Sequence, residues 1–329
     1  KPTSSPDSGK RLMKVHILRE LDSSAVPTVV TIGNFDGIHL GHRALIDAVI
    51  REAKQRQSAS ALVTFDPHPQ EIIHPRRPVP RICTPELQLR LLEECGLDEV
   101  HVIPFTPELA ELDAETFAFK FLVNRFSLEK LVVGYDFRFG KNRKGDFILL
   151  ERLARERGFI LEEIAPVRIN GQIVSSTLIR QQIEDQQFDL VEQFLGRRYS
   201  LLGVVEKGEH RGRLLGFPTA NLIPKTPLPL REGVYVSQIG VSGELHYGVT
   251  NIGTRPTFGE DEIRVETWII DFDQDIYGKT LEVRPLKLLR PEKRFNGMKE
   301  LKKQIKEDVS QAKSYLERAT PYCETGNPC

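Results

Sequence analysis

Two imidazoles raise the first question of chemistry. His39 and His42 stand three apart in GNFDGIHLGH (33–42), with Gly41 beside the second. A hydrophobic run, VPTVVTIG, leads into them and a helical pattern, RALIDAVIREAK, follows. Residues three apart on a helix share a face. A helix N-terminus offers free N–H groups and the positive end of its dipole to an anion. Gly41 lets the backbone approach closely. Two ring N–H donors could then hold a phosphate and stabilise charge that builds on it during displacement. The plainer alternative is a pair of satisfied histidines in a tight turn. Neither common phosphate loop is present, as the chain has no GxxxxGK[ST] and no GxGxxG.

Other segments carry chemistry less plainly. SSTLIR (175–180) places two serines, Thr177 and Arg180 at the start of a second helical pattern. Arg suits phosphate because its planar fork pairs with two oxygens, but Ser-Ser-Thr is equally a helix N-cap. Asp66 and His68 in TFDPHP follow a strand pattern, and Asp66-Pro67 is equally a turn device. Glu266 in RVETWII points, on a strand, to the face opposite Val265 and Thr267, and read alone it is an exposed carboxylate. GEHRGRLLG (208–216) reads as a mobile flap or as a flexible hairpin loop.

The first half must position these groups through alternating elements. VPTVVTIG, ALVTF, EVHVIPF, KLVVG and ILEEIAPV read as strands. Between and after them, RALIDAVIREAKQRQ, ELQLRLLEECG, AETFAFKFLVNRF, DFILLERLARERG and SSTLIRQQIED read as helices. Such alternation predicts a parallel, doubly wound sheet with helices on both faces. Ligands in these folds sit beyond the carboxyl ends of the strands. GNFDGIHLGH, DPHP and GYDFRFG (134–140) each follow a strand, so they should share one crevice. Past about residue 186 the pattern changes to closely spaced strands, RRYSLLGVVEKG, GVYVSQIGV, ELHYGVTNIG, RVETWIIDF and TLEVRPLKLL. That predicts an antiparallel barrel or sandwich. A last helix carries Met298, Leu301, Ile305, Val309, Ala312 and Leu316 at spacings of three and four. The domain boundary falls near 186–198, with no internal repeat.

Bulk properties bound the rest. The 329 residues suggest two domains at roughly 150 residues each. Lys+Arg and Asp+Glu both number 46, so no net field draws the chain to nucleic acid or membrane. The short basic cluster RFGKNRKGD (138–146) is better read as a solvated loop than as a nucleic-acid site. No apolar run approaches a membrane span. KPTSSPDSGK at the N-terminus lacks an apolar signal core, and Cys83, Cys95, Cys323 and Cys329 form no CxxC pair. Both point to reduced thiols and a cytoplasmic setting.

GNFDGIHLGH with SSTLIR resembles the HxGH nucleotidyltransferases. GRLLGFPTANL (212–222) resembles the riboflavin kinase motif containing PTAN. An HxGH domain followed by a PTAN domain is similar to the bacterial bifunctional riboflavin kinase/FAD synthetases. The resemblance covers roughly residues 13–318 and includes TFDPHP, GYDFRFG, NIGTRPTF, VETWIIDFDQDIYG and LLRPEKRF in order. It implies a Rossmann-like doubly wound parallel sheet over 1–186, the FMN adenylyltransferase. An antiparallel six-stranded β-barrel with a C-terminal helix over 187–329 would be the riboflavin kinase. The substrates it implies are riboflavin, FMN and ATP, with Mg2+ as cofactor, FMN as intermediate and FAD as product. It also implies that copies of the chain can associate weakly.

Residue by residue, the resemblance makes His39, His42 and Arg180 catalytic in the first domain. Gly33, Asn34, Phe35 and Gly41 form the loop under ATP, with Ser176 and Thr177 on its triphosphate and Asp136 near metal and ribose. Asp66 and His68 help place FMN. In the second domain Glu266 is the base, while Thr219 and Asn221 hold magnesium. Gly208, Gly212, Arg213, Gly216, Pro218 and Tyr277 surround ATP, although Tyr277 reads equally as barrel core. Arg290, Lys293 and Phe295 contact flavin, although Lys293 alone reads as a solvated turn. Two other readings compete. One is a single-activity enzyme with a degenerate second domain, and the other is a flavin-binding module without turnover. Both require lost catalytic residues, and HxGH, SSTxxR, PTAN and the VET glutamate are all intact.

Overall fold

The computed structural model describes residues 13–17, 26–77, 79–206, 216–224, 226–256, 261–293 and 295–319. They pack as two compact units. One holds the described residues within 1–79 and 88–175, the other those within 80–87 and 176–329.

The first unit is built on a six-stranded parallel sheet. Its strands are β1 (Lys14–Ile17), β2 (Pro27–Ile32), β3 (Ala59–Asp66), β4 (Glu99–Pro104), β5 (Ser127–Gly134) and β6 (Ile160–Ile164), in the order β1-β4-β3-β2-β5-β6. The central strands are apolar on both faces because helices cover both. Val30, Val63, Ile103 and Leu131 from four strands join Leu150 and Leu153 in one core. Those two leucines belong to α6 (Phe147–Arg157), counting α1 as Leu40–Arg56, α2 as Pro69–Ile73, α3 as Pro85–Cys95, α4 as Pro107–Ala110 and α5 as Ala114–Ala118. Asp146 caps α6 by accepting from the Leu149 N–H at 3.0 Å, and Gly158 ends it in the left-handed region. The doubly wound parallel architecture follows the alternation in the sequence.

Two local features depart from that reading. AETFAFKFLVNRF does not form one α-helix, because α5 passes into a π-helical turn at Phe119–Val123. Ala118, Leu122 and Phe126 are buried at successive spacings of four, more than the 3.6 residues of an α-turn. The wider turn keeps them facing the core. Strand β1, helices α2 and α4 and the hairpin of β7 (Arg168–Ile169) with β8 (Gln172–Ile173) are too short to show a period.

The second unit opens with α7 (Ser176–Glu184) and α8 (Phe188–Leu195), which pack on each other. The boundary expected at 186/187 falls between them, whereas the compact units divide at 175/176. Six antiparallel strands follow: β9 (Leu201–Val204), β10 (Thr219–Leu222), β11 (Gly233–Val241), β12 (Glu244–Pro256), β13 (Asp261–Ile269) and β14 (Thr280–Pro291). Their order is β10-β13-β12-β11-β14-β9, and a bridge between Glu206 and Asn221 joins the two edges into a barrel. Helix α9 (Met298–Ala319) packs on β11, β12 and β14. Ala312 is fully buried, as the stripe read from the sequence has it, while Met298 is 49% exposed and Asp308 is buried beside the expected Val309. Among the described residues, no helix is long and apolar enough to cross a membrane.

Candidate active sites

Strands β3, β2 and β5 are parallel neighbours, so GNFDGIHLGH, DPHP and GYDFRFG leave the sheet side by side at its carboxyl end. From β2 the chain builds β3 on one side and β5 on the other. The HLGH turn therefore stands at the topological switch point, where open α/β sheets bind ligands.

Helix α1 begins at Leu40, ahead of the expected run, so His39 is its N-cap and His42 lies in its first turn. The His39 Nδ1 accepts the His42 N–H at 3.2 Å. That bond leaves the proton of the neutral ring on Nε2, where it can be donated to a ligand. The two rings stack with centroids 3.6 Å apart and planes 16° from parallel. His39 is buried at 5% exposure. Phe35 packs on His42 at 5.1 Å. A Cβ at Gly41 would stand 3.1 Å from the His39 ring atoms Nδ1 and Cε1, so only glycine leaves the stacked ring its space.

The loop before the histidines bends sharply, with positive φ at Phe35, Gly37 and Ile38. Two residues that the sequence reading missed hold it. Gln88 Nε2 donates to the carbonyls of Asn34 at 3.0 Å and Phe35 at 3.2 Å. Thr64 Oγ1 donates to the Asn34 carbonyl at 3.2 Å. Gly33 ties the loop to β3 through its N–H and the Val63 carbonyl at 3.1 Å. His68 caps α2, its Nδ1 accepting the Gln70 N–H at 3.2 Å, next to a cis Asp66-Pro67 bond. The turn reading of DPHP is thus realised, with the Asp66 side chain exposed. Asp136 is exposed in the turn closed by the Phe137 N–H on the Gly134 carbonyl.

Ser176, Thr177 and Arg180 lie on α7, which belongs by its contacts to the second unit. Arg180 Nε donates to the Pro80 carbonyl at 2.7 Å, which fixes the direction of its fork. Cys83 and Cys95 are not disulfide-bonded, and burial pushes the Cys95 thiol up against the pull of Arg43. Cys323 and Cys329 lie outside the described residues, as do Gly208, Gly212 and Arg213.

A second site forms in the barrel. A cavity of about 320 Å³ is lined by Pro218, Thr219, Asn221, Thr267, Asp275 and Tyr277, among others. Tyr277 is 39% exposed, so it is not barrel core. Register places Thr219 opposite Trp268 and Asn221 opposite Glu266. Directly opposed residues share a face, so Thr219, Asn221 and Glu266 lie together. Val265 and Thr267, on the other face, are fully buried, as strand alternation predicts. Asn221 Nδ2 donates to the Thr219 carbonyl at 3.2 Å, which fixes the amide. Gly216 takes a positive φ just before PTAN.

Arg290 is engaged in the scaffold. Its Nε and Nη2 each donate to Asp308 at 2.9 Å and its Nη1 to the Pro291 carbonyl at 3.1 Å. Asp308, on α9, is 2% exposed, and the sequence reading missed it. Phe295 lies beneath both Arg290 and Lys293, each cation 5.6 Å from its centroid.

The FAD synthetase family matches residues 21–178 and the riboflavin kinase family residues 195–316. A bifunctional riboflavin kinase/FMN adenylyltransferase of Escherichia coli K12 is 37% identical, covering 89% of this chain and 94% of the relative. One of Listeria monocytogenes is 34% identical over 88% of this chain and 92% of the relative. A solved structure from Streptococcus pneumoniae, described as a macrolide-efflux protein, superposes with a TM-score of 0.76 at 29% identity, covering 92% of this chain and 99% of its own.

Proposed function

The chain belongs to the family of bifunctional riboflavin kinase/FMN adenylyltransferases, and from that premise we propose which residues serve each reaction. The protein phosphorylates riboflavin to FMN with ATP, then adenylylates FMN with a second ATP to give FAD and pyrophosphate. We assign adenylyl transfer to residues 1–186 and phosphorylation to 187–329.

In adenylyl transfer a phosphate oxygen of FMN attacks the α-phosphorus of ATP. A new P–O bond forms as the bond to the β-phosphate breaks, and pyrophosphate leaves with the electron pair. No proton has to move in the central step, so positioning and charge stabilisation suffice. His39 and His42 donate to the phosphate oxygens from the N-terminus of α1. Ser176, Thr177 and Arg180 take the rest of the triphosphate. Gly33, Asn34, Phe35 and Gly41 shape the floor, Asp136 takes the ribose, and Asp66 and His68 border the flavin. The observation that carries this reading is the stacked histidine pair capping a helix at the switch point.

In the kinase reaction the terminal ribityl hydroxyl of riboflavin attacks the γ-phosphorus, ADP leaves, and Glu266 takes the hydroxyl proton. Thr219 and Asn221 are neutral oxygen donors at the cavity lip, which fits Mg2+, a hard cation that keeps part of its water. When bound, that ion would neutralise phosphate oxygens. Pro218, Gly216 and Tyr277 border the ATP phosphates and base. Phe295 and Lys293 face the flavin, while Arg290 holds the segment that carries them. The balanced charge and the unbridged Cys83 and Cys95 support a cytoplasmic setting without nucleic-acid or membrane partners.

The test is a chromatographic time course of riboflavin with magnesium-ATP. Wild type should show FMN first and FAD after it. His42→Ala should accumulate FMN while FAD formation falls about 10²–10³-fold, the usual cost of one charge-stabilising donor. Loss of both products from a folded His42→Ala protein would refute the two-site assignment.

A further inference from the structure

The far edge of the parallel sheet carries a cluster that neither reaction uses. Strand β1 pairs with β4 so that His16 stands opposite His101, and Glu99 precedes His101 by two residues on the same face. The two rings stack at 4.8 Å, 13° from parallel. His101 Nε2 lies 2.9 Å from a Glu99 carboxylate oxygen. Among the described residues, this is the one group of three His, Cys, Asp or Glu side chains placed to hold a metal, with one ligand atom from each within 4.8 Å of the others.

The polar atoms of this cluster are incompletely satisfied. His16 Nε2 and His101 Nδ1 are both buried without a hydrogen-bond partner. His101 is 3% exposed, with Phe126 edge-on at 4.8 Å closing one side. Buried polar groups are nearly always paired, and an orphan calls for an explanation. Two imidazoles with orphan nitrogens beside one carboxylate form a site short of one cation. Either nitrogen of a ring can be presented by a half-turn of the imidazole.

We propose that His16, Glu99 and His101 bind a divalent ion of the zinc class and thereby fasten β1 to β4. Two imidazole nitrogens and a carboxylate oxygen are a donor set for zinc-like ions with a fourth position left to water. They are a poor set for Mg2+, which prefers oxygen alone. Ligand atoms around zinc bonds of about 2.0–2.1 Å lie closer together than 4.8 Å, so binding draws the two strands' side chains inward.

The site is separate from the nucleotide crevice. Register runs His16, His101, Val63, Ile32 across β1, β4, β3 and β2. Three strand spacings put His16 roughly 14 Å from the end of β2, where the HLGH loop starts. The role is structural. Strand β1 is a four-residue edge strand whose Val15 and Ile17 are 46% and 63% exposed, so it has little apolar burial to hold it.

The experiment titrates metal-stripped, nucleotide-free protein with Co2+ and follows its visible d–d absorption, with Zn2+ competition and thermal melts alongside. Wild type should show one saturable band that Zn2+ displaces, and Zn2+ should raise its Tm. His16→Gln and Glu99→Gln should each bind Co2+ at least ten-fold more weakly and lose the Zn2+ effect on Tm. Both variants should still make FMN and FAD, which certifies their fold. No band in wild type, or an undiminished band in an active His16→Gln protein, would overturn the proposal.

Discussion

Asn221 and Glu266 stand directly opposite each other on antiparallel strands β10 and β13, and Asn251 on β12 flanks Glu266 from the other side. The three side chains therefore share one face of the sheet. Thr219 shares their face, so the groups that we assign to the phosphates and to the hydroxyl come from one strand pair.

Glu266→Gln keeps the shape but cannot take a proton. General-base removal costs about 10²–10⁴-fold. Riboflavin phosphorylation should fall by that order, while FMN supplied directly still becomes FAD at the wild-type rate. A normal kinase rate in Glu266→Gln would remove the base from this residue.

Gly41→Ala tests the histidine stack. The added methyl would press on the His39 ring at 3.1 Å and on the Val174 carbonyl at 3.5 Å. The ring must give by a few tenths of an ångström, and misplacement of reacting groups can cost up to about 10²-fold in rate. Adenylyl transfer should drop by that order with the kinase intact. Helix propensity gains up to about 1 kcal/mol from the change and offsets the crowding, so Tm should barely move. Unchanged FAD formation would show that the stack is not needed.

Gln88 should matter more than its surroundings suggest. Its amide holds two carbonyls of the loop that we place beneath the nucleotide. Gln88→Ala leaves them to water, at about 0.5–1.5 kcal/mol for each bond. Gln88→Glu is worse, because a carboxylate cannot donate and repels both carbonyls. The KM for ATP in FAD formation should rise in the order Gln, Ala, Glu, with kinase KM unchanged. Equal KM values in all three would make Gln88 a bystander.

The legible parts of this molecule are those set by local period. Val265 and Thr267 inward with Glu266 outward follows from strand alternation, and the βα alternation yields the switch point that gathers the loops. What stayed hidden depends on partners far along the chain. Gln88 sits in an ordinary amphipathic helix, 54 residues from Asn34, and nothing local marks it. Asp308 could have been found, since it falls in step with Ile305 and Ala312. Its charge favours Val309 for the stripe until Arg290, 18 residues back, is seen to neutralise it. His16 gains meaning only when β1 pairs with β4.

Glu292 offers a prediction with a definite sign. Its carboxylate lies flush on Gly253, where a Cβ would collide with it. Although Glu292 is exposed as a residue, partial desolvation of its carboxylate pushes its pKa up, and the nearby Glu232 and Glu266 charges add to that rise against a hydrogen bond from Asn251. A carboxyl whose pKa is raised on folding contributes stability when protonated at low pH, and that contribution is lost as pH rises through the folded pKa. Ionised Glu292 is therefore a liability at neutral pH, facing two like charges. Glu292→Gln keeps an acceptor for Asn251, supplies a donor for Glu232 and removes one of the three charges. Its Tm should exceed that of wild type at pH 8, and the gap should close as pH falls towards the carboxylate range and Glu292 takes up its proton. Melts of both proteins between pH 5 and 8 decide it: a gap that is constant with pH, or reversed at pH 8, would mean that the carboxylate cluster does not carry the strain its geometry implies.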